Sequence, residues 1–306
     1  MSSGWRVIDC SSLEGKLRSQ RGQILVCREG QPDVALPVAD LAVILIGPKV
    51  SFSAGVMHRL TTADVAVLFT DWRGVPFGGA YSWSDHTRVG ARNRAQAEVS
   101  VPRRKALWGS IVRAKIMGQA AVLEALGRRG VPRLRELAKS VRSGDPANAE
   151  AQAARIYWDC VFPSSNFVRV PSAGAGENGC LDYGYAIIRG HGIRAVLAAG
   201  LSPALGVFHR GRSNAFNLVD DLMEPFRPVV DQIVAGLPPD ATPADPDVKR
   251  ELVAVGSVQF DGDGHTVPTV MERLAQTIGR YFEGDEQKVP VPCWSGRLCM
   301  ASGDDD

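Results

Sequence analysis

The hydrophobic pattern of this chain changes period near residue 100, and that switch limits the folds open to it. Before it, "WRVID" (5–9), "QILVC" (23–27), "LAVILI" (41–46) and "VAVLFT" (65–70) are β-branched or aliphatic runs separated by Gly, Pro and Asp, as short strands require. The exception is "SAGVMHRLTTA", where Ser53 can cap a short helix and Val56 and Leu60 stand about one turn apart. "DWRGVPFGG" reads as the turn that ends the sheet. Pro102 suits a helix start. Beyond it Leu107, Ile111, Ile116, Leu123 and Leu126 fall on one helical stripe, with Arg103, Arg104, Arg113 and Lys115 off it. Further helices are predicted at 131–142, 148–163, 180–199, 217–235 and 267–283, with Gly and Pro between them. The expected fold class is α+β. A β-rich, β-sandwich-like domain spans 1–80, a polar linker 81–101, a mostly α-helical domain 102–283, and an irregular tail 284–306.

A chain of 306 residues can bury two such cores. No window approaches eighteen uninterrupted apolar residues, and "MSSGWRVIDC" is not a secretory leader, so a cytoplasmic protein without a membrane span is expected. The cysteines at 10, 27, 160, 180, 293 and 299 include no Cys-x-x-Cys pair, which argues for reduced thiols rather than thiolate zinc. Net charge is only +2, but from Arg88 to Arg142 fourteen Lys or Arg face three Glu and no Asp. Such a run is either a solvated helical face or a footprint for phosphates.

Two acidic features carry candidate chemistry. "FHRGRSNAFNLVDDLMEPFRP" (208–228) places His209 ahead of Asp220, Asp221 and Glu224, beside Arg210, Arg212 and Arg227. Carboxylates with an imidazole suit a hard or first-row divalent cation such as magnesium or manganese. Asp221 and Glu224 are three apart and share one side of a helix, which Pro225 should interrupt or kink. The bland alternative is an acidic helix start satisfying its own N–H groups. In "NAEAQAARIYWDCVF", Glu150 lies on or beside a stripe of Ala154, Tyr157 and Val161, where a carboxylate must be paired or metal-bound. The chain has no Gly-x-Ser-x-Gly elbow and no phosphate-binding Gly-x-x-x-x-Gly-Lys-Ser/Thr loop, and "GAGENG" lacks the strand-to-helix setting of a dinucleotide site. His58 and His191 read as solvated or packed.

Several segments, in order, resemble the CRISPR-associated endonuclease and integrase family (Cas-one). "ILIGPKVSFSAGVMHRLTTADVAVLFTDWRGVPFG" is similar to its N-terminal sheet and short helix, and "AQAEVSVPRRKALWGSIVRAKIMGQA" to its first long helix, with Lys115 and Gln119 at the family's lysine and glutamine. "AEAQAARIYW" resembles the glutamate motif, with Ala151 where the family usually has glycine. "ENGCLDYGYAII" resembles the asparagine–tyrosine motif of Asn178, Tyr183 and Tyr185, and "LSPALGVFHRG" with "DLMEPFRP" the histidine and acidic motifs. The likeness covers about residues 5–283, and "VPRRKALW" and "CLDYGYAII" look most like type II members.

The resemblance implies metal ligands Glu150, His209 and Glu224, with Asp221 as a second acid of the catalytic set, and Mg2+ or Mn2+ as cofactor. It implies attack of a DNA 3′-hydroxyl on a phosphodiester of the CRISPR repeat, inserting new spacers for antiviral defence. Arg103, Arg104, Lys105, Arg113, Lys115, Arg210, Arg212 and Arg227 become the expected DNA contacts. Expected partners are double-stranded DNA (spacer precursor and repeat), a second copy in a homodimer, a small companion adaptation protein (Cas-two) and, for type II, the effector nuclease. The rival readings are a metal-dependent nuclease for branched DNA or RNA in repair, and a non-enzymatic DNA-binding scaffold.

Overall fold

The computed structural model describes residues 6–72, 76–82, 86–162, 167–171 and 174–300. Eight strands come first: β1 (Arg6–Cys10), β2 (Gly15–Gln20), β3 (Gln23–Cys27), β4 (Val34–Pro37), β5 (Leu41–Ile46), β6 (Val50–Phe52), β7 (Ala66–Thr70) and β8 (Pro76–Ala80), with helix α1 (Ala54–Thr62) before β7. They make two four-stranded sheets, ordered β1-β5-β7-β8 and β4-β3-β2-β6. β5 pairs in parallel with β1 and β7, Ile44 lying opposite Ile8 and Val67.

That position explains the unbroken apolar run of β5, since a central parallel strand is covered on both faces. Leu41, Ile44 and Ile46 join Leu17, Ile24, Leu36, Val56, Leu60 and Val67 in a core within the β domain. Ala42, Val43 and Leu45, with Ala66 and Leu68, belong instead to the large core of the helical domain.

The helical part comprises α2 (Val89–Glu98), α3 (Val101–Ala125), α4 (Val131–Ser140), α5 (Ala149–Val161), α6 (Gly176–Ala198), α7 (Asn217–Met223), α8 (Arg227–Gly236), α9 (Pro246–Val253) and α10 (Val267–Glu283). Ser100 caps α3, its hydroxyl accepting the Arg103 N–H at 3.4 Å. The stripe residues Leu107, Ile111, Ile116 and Leu123 are buried, but so are Trp108, Val112 and Val122, so α3 is covered on most of its circumference. The break expected at Pro225 is a 3-10 turn, Glu224–Phe226, between α7 and α8. α6 packs against β5 and β7 closely enough that a Cβ on Gly190 would lie 2.9 Å from Val43. The Tyr183 hydroxyl donates to Asp9 of β1 at 2.6 Å, and Lys249 of α9 pairs with the same carboxylate at 2.9 Å.

The structure departs from or adds to the sequence expectations in several places. "PFGGA", read as part of a closing turn, is strand β8, antiparallel to β7; residues 73–75 of that turn lie outside the described residues, as do Trp5 of the first predicted strand and 301–306 of the tail. The stretch read as a linker contains α2, whose inward side is polar. Arg92 is bound to Glu283 (3.1 Å), Gln276 (2.9 Å) and the Ala199 carbonyl (2.6 Å), and Gln96 donates to the Ser202 and Leu205 carbonyls at 2.9 and 2.7 Å. The tail beyond α10 is irregular but pinned, because buried Trp294 donates to Gln232 at 2.7 Å and Gln232 to the Gly296 carbonyl at 2.9 Å. All six cysteines are free thiols. Among the described residues no helix is long and apolar enough to cross a membrane.

Candidate active site

Glu150 stands in the first turn of α5, whose backbone start is capped by Asp145: its carboxylate accepts the Ala149 N–H at 2.9 Å and the Glu150 N–H at 3.0 Å. Glu224 opens the 3-10 turn after α7. Far apart in sequence, the two glutamates meet on Lys115 of α3, whose Nζ lies 2.6 Å from Glu150 Oε1 and 2.6 Å from Glu224 Oε2. Arg227 holds the other Glu224 oxygen at 2.9 Å. Burial pushes the Glu224 carboxyl up, but Arg227 and then Lys115 outweigh it and hold the group at about 2. Lys115 answers in kind: burial opposes its charge, Glu224 and then Glu150 favour it, and the ammonium is raised above its ordinary value. Glu224 Oε2 is buried without an aligned hydrogen bond, so this lysine charge is its close counter-ion.

His209 lies in the loop between α6 and α7 and is fixed by Asp221, which is wholly buried. Asp221 Oδ2 accepts the Val207 and Phe208 N–H groups at 2.5 and 3.0 Å, and Oδ1 accepts the His209 N–H at 3.1 Å and lies 2.7 Å from His209 Nδ1. With a proton on Nδ1, the lone pair of the neutral ring is on Nε2. Asp221 also raises the His209 pKa, against burial, with Glu224 and Asp220 adding to the rise. Asn217 staples the same loop, donating to the Ala204, Gly211 and Asn214 carbonyls and accepting the Gly211 N–H, all within 3.1 Å.

Behind the glutamates, the Tyr185 hydroxyl donates to Asp231 of α8, and the Arg227 guanidinium lies 4.5 Å above the Tyr185 ring. Burial raises the Asp231 carboxyl to about 6 against Tyr185, Tyr157 and the nearby cations. A cleft of about 590 Å³ runs between β7–β8 and the helices, with Arg169, Arg189 and Arg227 on its wall.

These residues lie within the segment matched by one family model. Residues 11–242 fit the model described as CRISPR associated protein Cas1. The CRISPR-associated endonuclease Cas1 of Neisseria meningitidis serogroup C is 37% identical over 225 residues, 73% of each chain. The chain belongs to the Cas1 family. A Cas1 endonuclease of Francisella tularensis subsp. novicida is 30% identical, covering 70% of this chain and 73% of that one. Among solved structures, a casposase bound to integration product superposes with TM-score 0.76 at 18% identity over 96% of both chains. A Cas1 protein from Thermotoga maritima gives 0.73 at 16%, over 92% of this chain and 98% of that one. Identities this low speak for the shared fold, a strand-rich region followed by a helical domain.

In this Cas1-family chain, Glu150 and Glu224 meet on Lys115, expected among the DNA contacts and with a side chain only 15% exposed, while His209 is held by Asp221. The other expected contacts divide. Arg103 bonds the Tyr281 and Glu286 carbonyls and lies 4.0 Å above the Tyr281 ring, Arg113 bonds the Val141 carbonyl at 2.8 Å, and Arg227 is paired with Glu224. Arg104, Lys105, Arg210 and Arg212 carry no ion pair or side-chain hydrogen bond among the described residues. Part of the basic run is neutralised elsewhere, by Arg88 and Arg92 on Glu283, Arg129 on Asp159, Arg133 on Glu136 and Arg135 on Glu124.

Asn178 and Tyr185 take structural positions, Asn178 bonding the Val168 carbonyl and Val170 N–H at 2.9 Å. Sequence reasoning missed Asn217 and Asp231; the signal for Asp231 was the one available for Glu150, a carboxylate inside an apolar helix, "PVVDQIV". A separate group, Asp261, Asp263 and His265, brings metal-capable atoms within 4.8 Å of one another and contains none of the expected ligands. Asp261 there is occupied by the Asp263 and His265 N–H groups and the His265 ring.

Proposed function

We propose that this chain is a metal-dependent DNA endonuclease and integrase of CRISPR adaptation, inserting spacer DNA into the array by attack of a 3′-hydroxyl on a repeat phosphodiester. The observation that carries the reading is the convergence of Glu150 and Glu224 on one cation position beside His209. That position fits a divalent ion. The buried Glu224 Oε2 lacks an aligned donor, the donor set is two carboxylates and an imidazole, and a monovalent ammonium already stands between the acids. Glu150, His209 and Glu224 would hold magnesium or manganese, which supplies Lewis-acid activation of the hydroxyl and neutralises phosphoryl charge.

The protein groups have separable tasks. Asp221 spends both oxygens on the His209 loop, which supports a positioning role for it rather than ligation. Arg227 keeps Glu224 ionised and oriented. Arg104, Lys105, Arg210 and Arg212, without ion pairs or side-chain hydrogen bonds among the described residues, are the candidates for phosphate contact.

The family membership and the names of the structural neighbours support the partners. One neighbour is a Cas1 bound to DNA, and another is a Cas6-RT-Cas1–Cas2 complex. Double-stranded DNA, a second copy of this chain and the small Cas2-like companion make up the proposed assembly. The wording of "VPRRKALW" and "CLDYGYAII" supports the type II branch, and with it the effector nuclease as a further partner.

The test is strand transfer of a short duplex into a repeat-containing target. Glu150→Gln, His209→Ala and Glu224→Gln should each abolish transfer with duplex affinity nearly intact, and double variants should lose no more than single ones. Asp221→Asn should leave partial activity. Normal integration by Glu150→Gln would sink the shared site.

A further inference from the structure

We propose that Phe208, backed by Trp108, is a stacking platform for an unpaired nucleotide of the DNA strand brought to His209. The inference rests on the DNA reading above and adds a strand-end preference to it. Phe208 is half exposed, yet it precedes the imidazole on the turn that Asp221 clamps. Its ring lies flat on Trp108, with centroids 4.2 Å apart and planes 3° from parallel. Trp108 is 2% exposed, so it covers one face of Phe208 and cannot itself meet a ligand there. The remaining exposure belongs to the edge and the other face, an apolar plane open to solvent.

Around this ring is a hollow of about 300 Å³, lined by Val101, Arg104, Lys105, Gly144, Val207 and Arg210 with the two aromatic rings. Among the described residues no carboxylate lines it. Arg104, Lys105 and Arg210 form no ion pair and no side-chain hydrogen bond among the described residues, and the Arg104 Nε is buried without a partner. A flat apolar surface ringed by uncompensated cations complements one nucleotide, its base on the ring and its phosphate among the cations. Bases inside a duplex are already stacked on both faces, so the surface selects an unpaired or frayed end. Because Phe208 and His209 are adjacent and share the Asp221 clamp, a base held there brings its own sugar and phosphate to the imidazole.

The experiment compares wild type, Phe208→Leu and Phe208→Tyr on two DNAs, a blunt duplex and the same duplex with an unpaired 3′ end carrying 2-aminopurine. Leucine keeps an apolar cover over Trp108 and removes the ring, so the fold should hold; thermal unfolding checks this. Wild type should bind the unpaired end more tightly and quench its fluorescence. Phe208→Leu should lose on the order of tenfold on that DNA, with the quench, and nothing on the blunt duplex, while Phe208→Tyr retains both. Equal losses on both DNAs, or an unchanged quench in Phe208→Leu, would overturn the platform and leave the DNA reading standing. If wild type bound neither DNA, the DNA reading itself would fall and take this inference with it.

Discussion

Lys115 carries the charge that two carboxylates share, and it was legible as a lysine of the first long helix but not as their counter-ion. Nothing in the local sequence of α3 says that Glu150 and Glu224 will arrive from other helices; only tertiary packing does. Removing the ammonium leaves two facing acids, one fully buried, without their shared cation. Lys115→Met should therefore destabilise the metal-free protein by about 3–5 kcal/mol, read by denaturant unfolding. Manganese should raise the melting temperature of the variant more than that of wild type. A second expectation concerns His209, whose pKa Asp221 lifts above the ordinary 6.5. The imidazolium stabilises the fold fully below pH 6.5, and that contribution is lost as pH rises through the raised value. Metal ligation has the opposite requirement, since the ring must be neutral. Strand transfer should rise with pH through a midpoint above 6.5, and Asp221→Asn should move that midpoint down.

The loop that carries the imidazole is a tight element with no spare volume. A Cβ added at Gly206 would stand 2.3 Å from the His209 carbonyl and 2.9 Å from both Asn217 Cβ and Asp221 Oδ2. Gly206→Ala should cost about 1–3 kcal/mol in stability and displace His209, so strand transfer should fall steeply with duplex binding retained. Elements with an apolar period were readable: β3, β5, β7 and helices α4, α5, α6 and α10 fall within a few residues of the expected ranges. Two of the elements missed, α2 and β2, lack that period. α2 buries Arg92 and Gln96 through hydrogen bonds instead of an apolar stripe, and β2 ("GKLRSQ") turns only Leu17 fully inward. α9 is capped by Asp245, which accepts the Asp247 N–H at 2.8 Å, inside a stretch whose prolines read as punctuation. Hydrophobic patterning sees burial by oil and misses burial by hydrogen bond.

At the scale of the molecule, the β domain leaves large apolar side chains in solvent, with Trp72 78% and Phe77 77% exposed. Together with the expected homodimer, this predicts that the β domain supplies the interface. Light scattering should give a dimer at low micromolar concentration, and Trp72→Ser with Phe77→Ser should shift it to monomer; a wild-type monomer there would end the idea. The domains themselves are not independent bodies. β5 puts Ile44 and Ile46 into one core and Val43 and Leu45 into the other, so neither core can dissolve while the strand stays paired in the remaining one. The two halves should therefore melt together, with matching calorimetric and van't Hoff enthalpies, and a lesion in the sheet should be felt at Glu150 and Glu224 as lost cooperativity.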